Sequence, residues 1–95
     1  MPKAAHASAA RRLEDIPNIG PALARGLRLV GIVAPAALKR RSPYQLYQEL
    51  NLATGIRNDP CVLDTFMAAV DFMNGNPPAP WWHFTPKRKQ LHPNL

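Results

Sequence analysis

Apolar residues recur at helical spacing through most of the chain. Leu23, Leu27 and Val30 fall at i, i+4 and i+7, with Ala24 alongside. Leu46, Tyr47 and Leu50 repeat the pattern, and Leu63, Phe66, Met67, Val70 and Met73 extend it over the longest stretch. No stretch alternates apolar and polar residues as a half-buried strand does. The pattern predicts an all-α protein of about five short helices, with no internal repeat.

Prolines, glycines and capping residues mark where these helices begin and end. Ser8 is placed to cap a short helix running through Ile16, with Leu13 and Ile16 inward and Arg11 and Arg12 outward. Pro17 stops it. Gly20 and Pro21 open the second helix, and Gly31 closes it. Pro35 starts a third short helix that ends in Lys39-Arg40-Arg41. Ser42-Pro43 opens a fourth, closed by Gly55, and Asp59-Pro60 opens the fifth, which runs to about Asn74 before Gly75. The segment NPPAPWWHFTPKRK then crowds four prolines among aromatic and basic residues, which predicts an extended tail. The expected organisation is a loose basic arm over 1–8, a helical domain over 9–75, and an extended aromatic and basic strap over 76–95 that packs on the domain.

Charge narrows the choice of partner. Twelve Lys and Arg against six Asp and Glu give a net charge of +6 over 95 residues, which favours a polyanion. The single cysteine, Cys61, excludes an internal disulfide and fits a reducing cytoplasm. The N-terminus lacks the apolar stretch of a signal peptide, and no run is long enough to cross a membrane. A cytoplasmic protein without membrane association is expected.

The most informative stretch is Leu13–Leu29, LEDIPNIGPALARGLRL. A Pro17-Asn18-Ile19-Gly20 turn lies between two helical patterns, and Asn18 is a residue type that tolerates positive φ. A helix that begins at the turn leaves its first N–H groups without intrahelical partners, beside the positive end of the helix dipole. Such groups form an anion site that requires no charged side chain.

Ile16, Ile19 and Gly20, with Ala24 and Leu27 behind them, resemble the helix-hairpin-helix motif, with Asn18 in place of the first glycine of the hairpin. The resemblance implies a nucleic-acid site with backbone donors to phosphate at Asn18, Gly20 and Ala22 and with Ile19 among its residues. Many DNA-binding members carry Lys or Arg just after the second glycine, whereas Pro21 and Ala22 stand here, so the nearest cations on that helix are Arg25 and Arg28. A purely architectural hairpin is the alternative. Over Arg12–Lys89 the segments TGIRNDPCVLDTFMAAVDFMNG and PWWHFTPKRK look together like the bacterial pathogenicity-locus family, whose members are sometimes labelled mitomycin-resistance proteins. The first half is also similar to the C-terminal domain of TfoX-type competence regulators. These resemblances imply a fold and a DNA-associated motif, and no reaction.

Other chemistry-bearing residues have plainer explanations. Trp81, Trp82 and Phe84 beside Lys87, Arg88 and Lys89 combine stacking surfaces with charge, as single-strand binders do, but packing of at least one Trp on the core is the simpler expectation. Lys87, Arg88 and Lys89 are then a surface cluster open to phosphate. Cys61 lies in the first turn of a helix, where the dipole lowers a thiol pKa, yet neither His83 nor His92 has the context of a catalytic partner. Asp59, Cys61, Asp64 and His83 lack a metal-ligand spacing. Asp64, Ala68 and Asp71 make a polar helix face, solvated or paired with Arg57 or the basic tail.

The expectation is therefore a DNA-associated accessory protein, not an enzyme, without metal or cofactor, that holds the backbone of double-stranded DNA without sequence specificity. The alternative is a protein-interaction module with a basic helical surface. A thiol-dependent enzyme built on Cys61 is a third reading.

Overall fold

A computed structural model describes residues 2–95; Met1, the first residue of the arm, lies outside the described residues. Among the described residues the chain forms four α-helices and no strand: α1 over Pro21–Leu29, α2 over Pro43–Thr54, α3 over Pro60–Met73 and α4 over Thr85–Leu91. Short 3-10 turns occupy Ala7–Ala9, Leu13–Asp15, Pro35–Leu38 and Trp81–Phe84.

Each helix boundary has a local cause. The Ser42 hydroxyl accepts from the Gln45 N–H (3.2 Å), and Asp59 Oδ1 accepts from the Cys61 N–H (2.8 Å), so both side chains cap a helix that opens on proline. Past the end of α1, Gly31 at φ +88° lets the Ile32 N–H return to the Leu27 carbonyl (2.9 Å) and the Gly31 N–H to that of Arg28 (3.1 Å). This is a Schellman closure, and Leu27 and Ile32 are both buried beneath it.

α3 is the centre of the fold. It packs against α2, the Pro35–Leu38 turn, the Trp81–Phe84 turn and α4. Its buried residues run nearly all round it: Leu63, Asp64, Thr65, Phe66, Ala68, Ala69, Val70, Phe72 and Met73. Ala68 is therefore buried, where a polar face was expected, and Met67 is only half-buried. α1 lies on α2, where Gly26 is buried and a Cβ there would stand 3.3 Å from the Leu50 Cδ1. Leu13, Ile16 and Ile19 complete this core from below the turn.

Three expected elements differ. The helix from Ser8 through Ile16 is instead two 3-10 turns, because Ala10 and Arg12 are extended. The Asp15 carboxylate accepts from the N–H groups of Arg11 (3.0 Å) and Arg12 (2.9 Å), a local alternative to helical bonding. The helix expected at Pro35 is a single 3-10 turn ending at Leu38, and Arg40 turns the chain at φ +61°. These two changes reduce the expected five helices.

The tail differs most. Residues 76–80 are without regular structure, but the chain then turns helical at Trp81 and continues to Leu91. Pro86 permits this because it stands at the second residue of α4, where its missing N–H has no intrahelical acceptor to lose. The radius of gyration is 12.3 Å. A compact chain of this length has about 12 Å, so the C-terminal segment is folded onto the rest.

Candidate nucleic-acid interface

The turn at Ile16–Gly20 is built from buried ends and an open middle. Ile16 and Ile19 are fully buried, and the Ile19 N–H donates to the Ile16 carbonyl (3.1 Å). Between them Asn18 adopts φ +73°, the left-handed conformation that the residue type allows. Gly20, extended at φ −91° and ψ −176°, is the N-cap of α1, and its carbonyl accepts from the Ala24 N–H (2.9 Å). Pro21 at the first position carries no N–H, so the first-turn donors of α1 belong to Ala22 and Leu23.

This helix end faces outward. A Cβ built at Gly20 meets nothing within 4 Å, and Pro21 and Ala22 are exposed. Arg25 is exposed one turn along the helix. Arg28 is also exposed but pairs with Glu14, Nη2 to Oε1 at 2.9 Å, and that bond holds the Glu14 carboxyl below the ordinary glutamate range.

Two segments far away in sequence are brought to the turn. From the N-terminal arm, Lys3 Nζ donates to the carbonyls of Glu14 (2.5 Å) and Ile19 (2.6 Å). The Ala4 N–H donates to the Asp15 carbonyl (2.8 Å), and Ala4 and Ala7 pack against the core. From the proline-rich segment, Ala79 offers its carbonyl to Asn18 Nδ2 at 2.8 Å, and Pro17, Asn18, Pro78, Ala79 and Pro80 line one shallow depression. The turn is thus held from both sides by chain that sequence spacing did not associate with it. Lys3 is the functional candidate that sequence reasoning missed. No periodic signal marks it, because its acceptors are main-chain carbonyls.

The C-terminal basic cluster does not act as a unit. Lys87 and Lys89 are exposed, whereas Arg88 is buried. Arg88 Nε donates to Asp64 Oδ1 (2.8 Å) and Nη2 to Oδ2 (3.4 Å), while the Thr85 hydroxyl donates to Asp64 Oδ2 (2.7 Å). Asp64 is fully buried, not part of a solvated stripe, and it finds its partner in the basic tail. The ion pair raises the Arg88 pKa further above its ordinary value, so the side chain stays charged and committed to Asp64. Arg88 therefore leaves the set of phosphate candidates, and Lys87 and Lys89 remain.

The aromatic residues divide in the same way. Trp81 is half-buried, Trp82 is exposed, and the two rings meet edge to face with centroids 5.7 Å apart. His83 is exposed and lies edge-on to Phe84, and His92 stacks on Tyr44 at 4.1 Å. Cys61 is half-buried. Burial first, then the hydrogen bond and negative charge of Asp59, push its thiol pKa up, opposite to the lowering expected from the helix dipole alone. Among the described residues no three His, Cys, Asp or Glu side chains are grouped to hold a metal ion, and no helix is long and apolar enough to cross a membrane.

Comparison with known proteins places the chain. The Cdd1 family model, described as pathogenicity locus, matches residues 6–90, and the chain belongs to that family. It is similar to the mitomycin resistance protein McrB of Streptomyces lavendulae, with 47% identity over 79 residues, covering 83% of this chain and 75% of that protein. No solved structure matches.

Proposed function

We propose that this member of the pathogenicity-locus family is a DNA-associated protein that grips the phosphate backbone through a hairpin of helix-hairpin-helix type at Ile16–Gly20. One observation carries the reading: the N-terminus of α1 is open to the outside, and the Lys3 ammonium lies 2.6 Å from the Ile19 carbonyl beside it. The amides of Gly20 and Ala22 supply donors where a phosphate oxygen needs them. Lys3 and Arg25 supply the charge that Pro21 and Ala22 do not. An ammonium has three donors, and two of those of Lys3 are directed at the Glu14 and Ile19 carbonyls.

Contacts of this kind fix position along a backbone and carry no base information. The protein then binds duplex DNA without sequence preference, through about two or three phosphates at the hairpin. Affinity for so few phosphates belongs in the range of roughly 10⁻⁴–10⁻⁶ M and falls steeply with salt. Titration of a labelled duplex at several salt concentrations tests this. Affinity that falls linearly on logarithmic axes supports the reading, and no binding at low salt rejects it.

A further inference from the structure

The exposed indole of Trp82 is unexplained by the fold. A tryptophan contributes most when its large apolar surface is covered. Trp82 instead leaves 61% of its surface in solvent, while the neighbouring Trp81 braces it edge to face. The residue is also tethered near the hairpin. The Asn18 to Ala79 hydrogen bond ties the proline-rich segment to the hairpin, and Trp82 follows Ala79 by three residues, within about 11 Å of backbone. Pro80 stiffens that connection, with its fixed φ.

Charge around Trp82 is one-sided. From Trp81 to Leu91 the sequence has three cations and no acidic residue. Asp64 offsets only Arg88, which leaves Lys87 and Lys89 exposed on the helix that follows the indole. Asp71 lines the same groove as Lys87 but is engaged by Asn76, whose Nδ2 donates to its Oδ1 at 2.9 Å. A flat apolar face followed by two lysines that form no salt bridge among the described residues, tied to an amide cradle for phosphate, matches a polyanion whose repeating unit carries a flat ring.

We infer that Trp82 is a stacking platform for an unpaired nucleobase, so that the preferred ligand is DNA with a single-stranded extension rather than an uninterrupted duplex. The inference rests on the phosphate-binding reading of the hairpin and adds the class of DNA structure to it. Within a duplex both faces of each base are covered by its neighbours, whereas an unpaired base in an overhang, a gap or a fork presents a face that a single indole can cover. Stacking of this kind is indifferent to base identity, because every base has such a face.

The experiment compares one fluorescein-labelled duplex in three forms by anisotropy: blunt, with a short thymidine overhang, and with an abasic overhang of equal length and charge. The thymidine overhang is expected to bind at least roughly 5-fold more tightly than the other two. Trp82→Ala removes that preference and leaves blunt-duplex affinity unchanged, and Trp82→Phe retains most of it. Equal affinity for the thymidine and abasic overhangs, or a preference that survives Trp82→Ala, overturns the inference while the hairpin reading stands. Failure to bind any of the three overturns both. Because Trp82 is exposed, its substitution leaves the fold in place, and an unchanged circular dichroism spectrum checks this.

Discussion

Arg88 donates to Asp64 across the contact between α4 and α3, Nε to Oδ1 at 2.8 Å, and Asp64 is wholly out of solvent. The pair turns the C-terminal segment from a trailing basic tail into part of the domain. Breaking such a pair from one side leaves a buried charge without its partner, which costs about 3–5 kcal/mol. Arg88→Ala is therefore expected to destabilise the protein by that amount in chemical denaturation. Lys87→Ala and Lys89→Ala are expected to stay within about 0.5 kcal/mol of the parent. Equal, small effects at all three positions would show that the pair is not what holds α4.

Cys61 is expected to react slowly. Burial and the Asp59 carboxylate both disfavour the thiolate, so its pKa lies above that of a free thiol. At neutral pH the thiolate fraction is then lower than in an unstructured cysteine peptide, and alkylation by iodoacetamide is slower in the folded protein. The rate climbs as pH rises, with its midpoint displaced to higher pH than that of the peptide. A folded-state rate faster than the peptide at pH 7 would restore an activated thiol.

Lys3 supplies a charge to the hairpin from the N-terminal arm. If that charge meets phosphate, Lys3→Met lowers duplex affinity and makes the logarithmic salt slope shallower by about 0.9, the value of one phosphate contact. A variant that binds with an unchanged slope would assign Lys3 only to tying the arm to the turn.

The legible parts of this fold were local ones. Ser42-Pro43 and Asp59-Pro60 open α2 and α3 because a capping side chain followed by proline satisfies the first turn from within a few residues. Gly31, Gly55 and Gly75 take positive φ where helices end, and Asn18 does so in the turn. What could not be read depends on distance along the chain. Arg88 and Asp64 are 24 residues apart, Asn18 and Ala79 are 61 apart, and no period links either pair. The proline-rich tail suggested extension because residue type was weighed without position, and Pro86 is harmless only because it falls in a first turn. The turn itself, with Asn18 at positive φ and Gly20 capping α1, was legible for the same local reason, whereas the settings of Lys3 and Trp82 depend on which segments the core brings together.

Gly20→Asp tests the central claim most directly. Gly20 is the N-cap of α1 with open space where a side chain would stand, and aspartate is a favoured residue at that position. The substitution keeps or slightly raises helix stability, occupies the free amides and places a negative charge where phosphate would lie. Duplex affinity measured by anisotropy at low salt is expected to fall at least about 10-fold, the equivalent of 1.4 kcal/mol, with the circular dichroism spectrum unchanged. A folded Gly20→Asp protein that binds duplex DNA as tightly as the parent would contradict the assignment of the hairpin as the phosphate site.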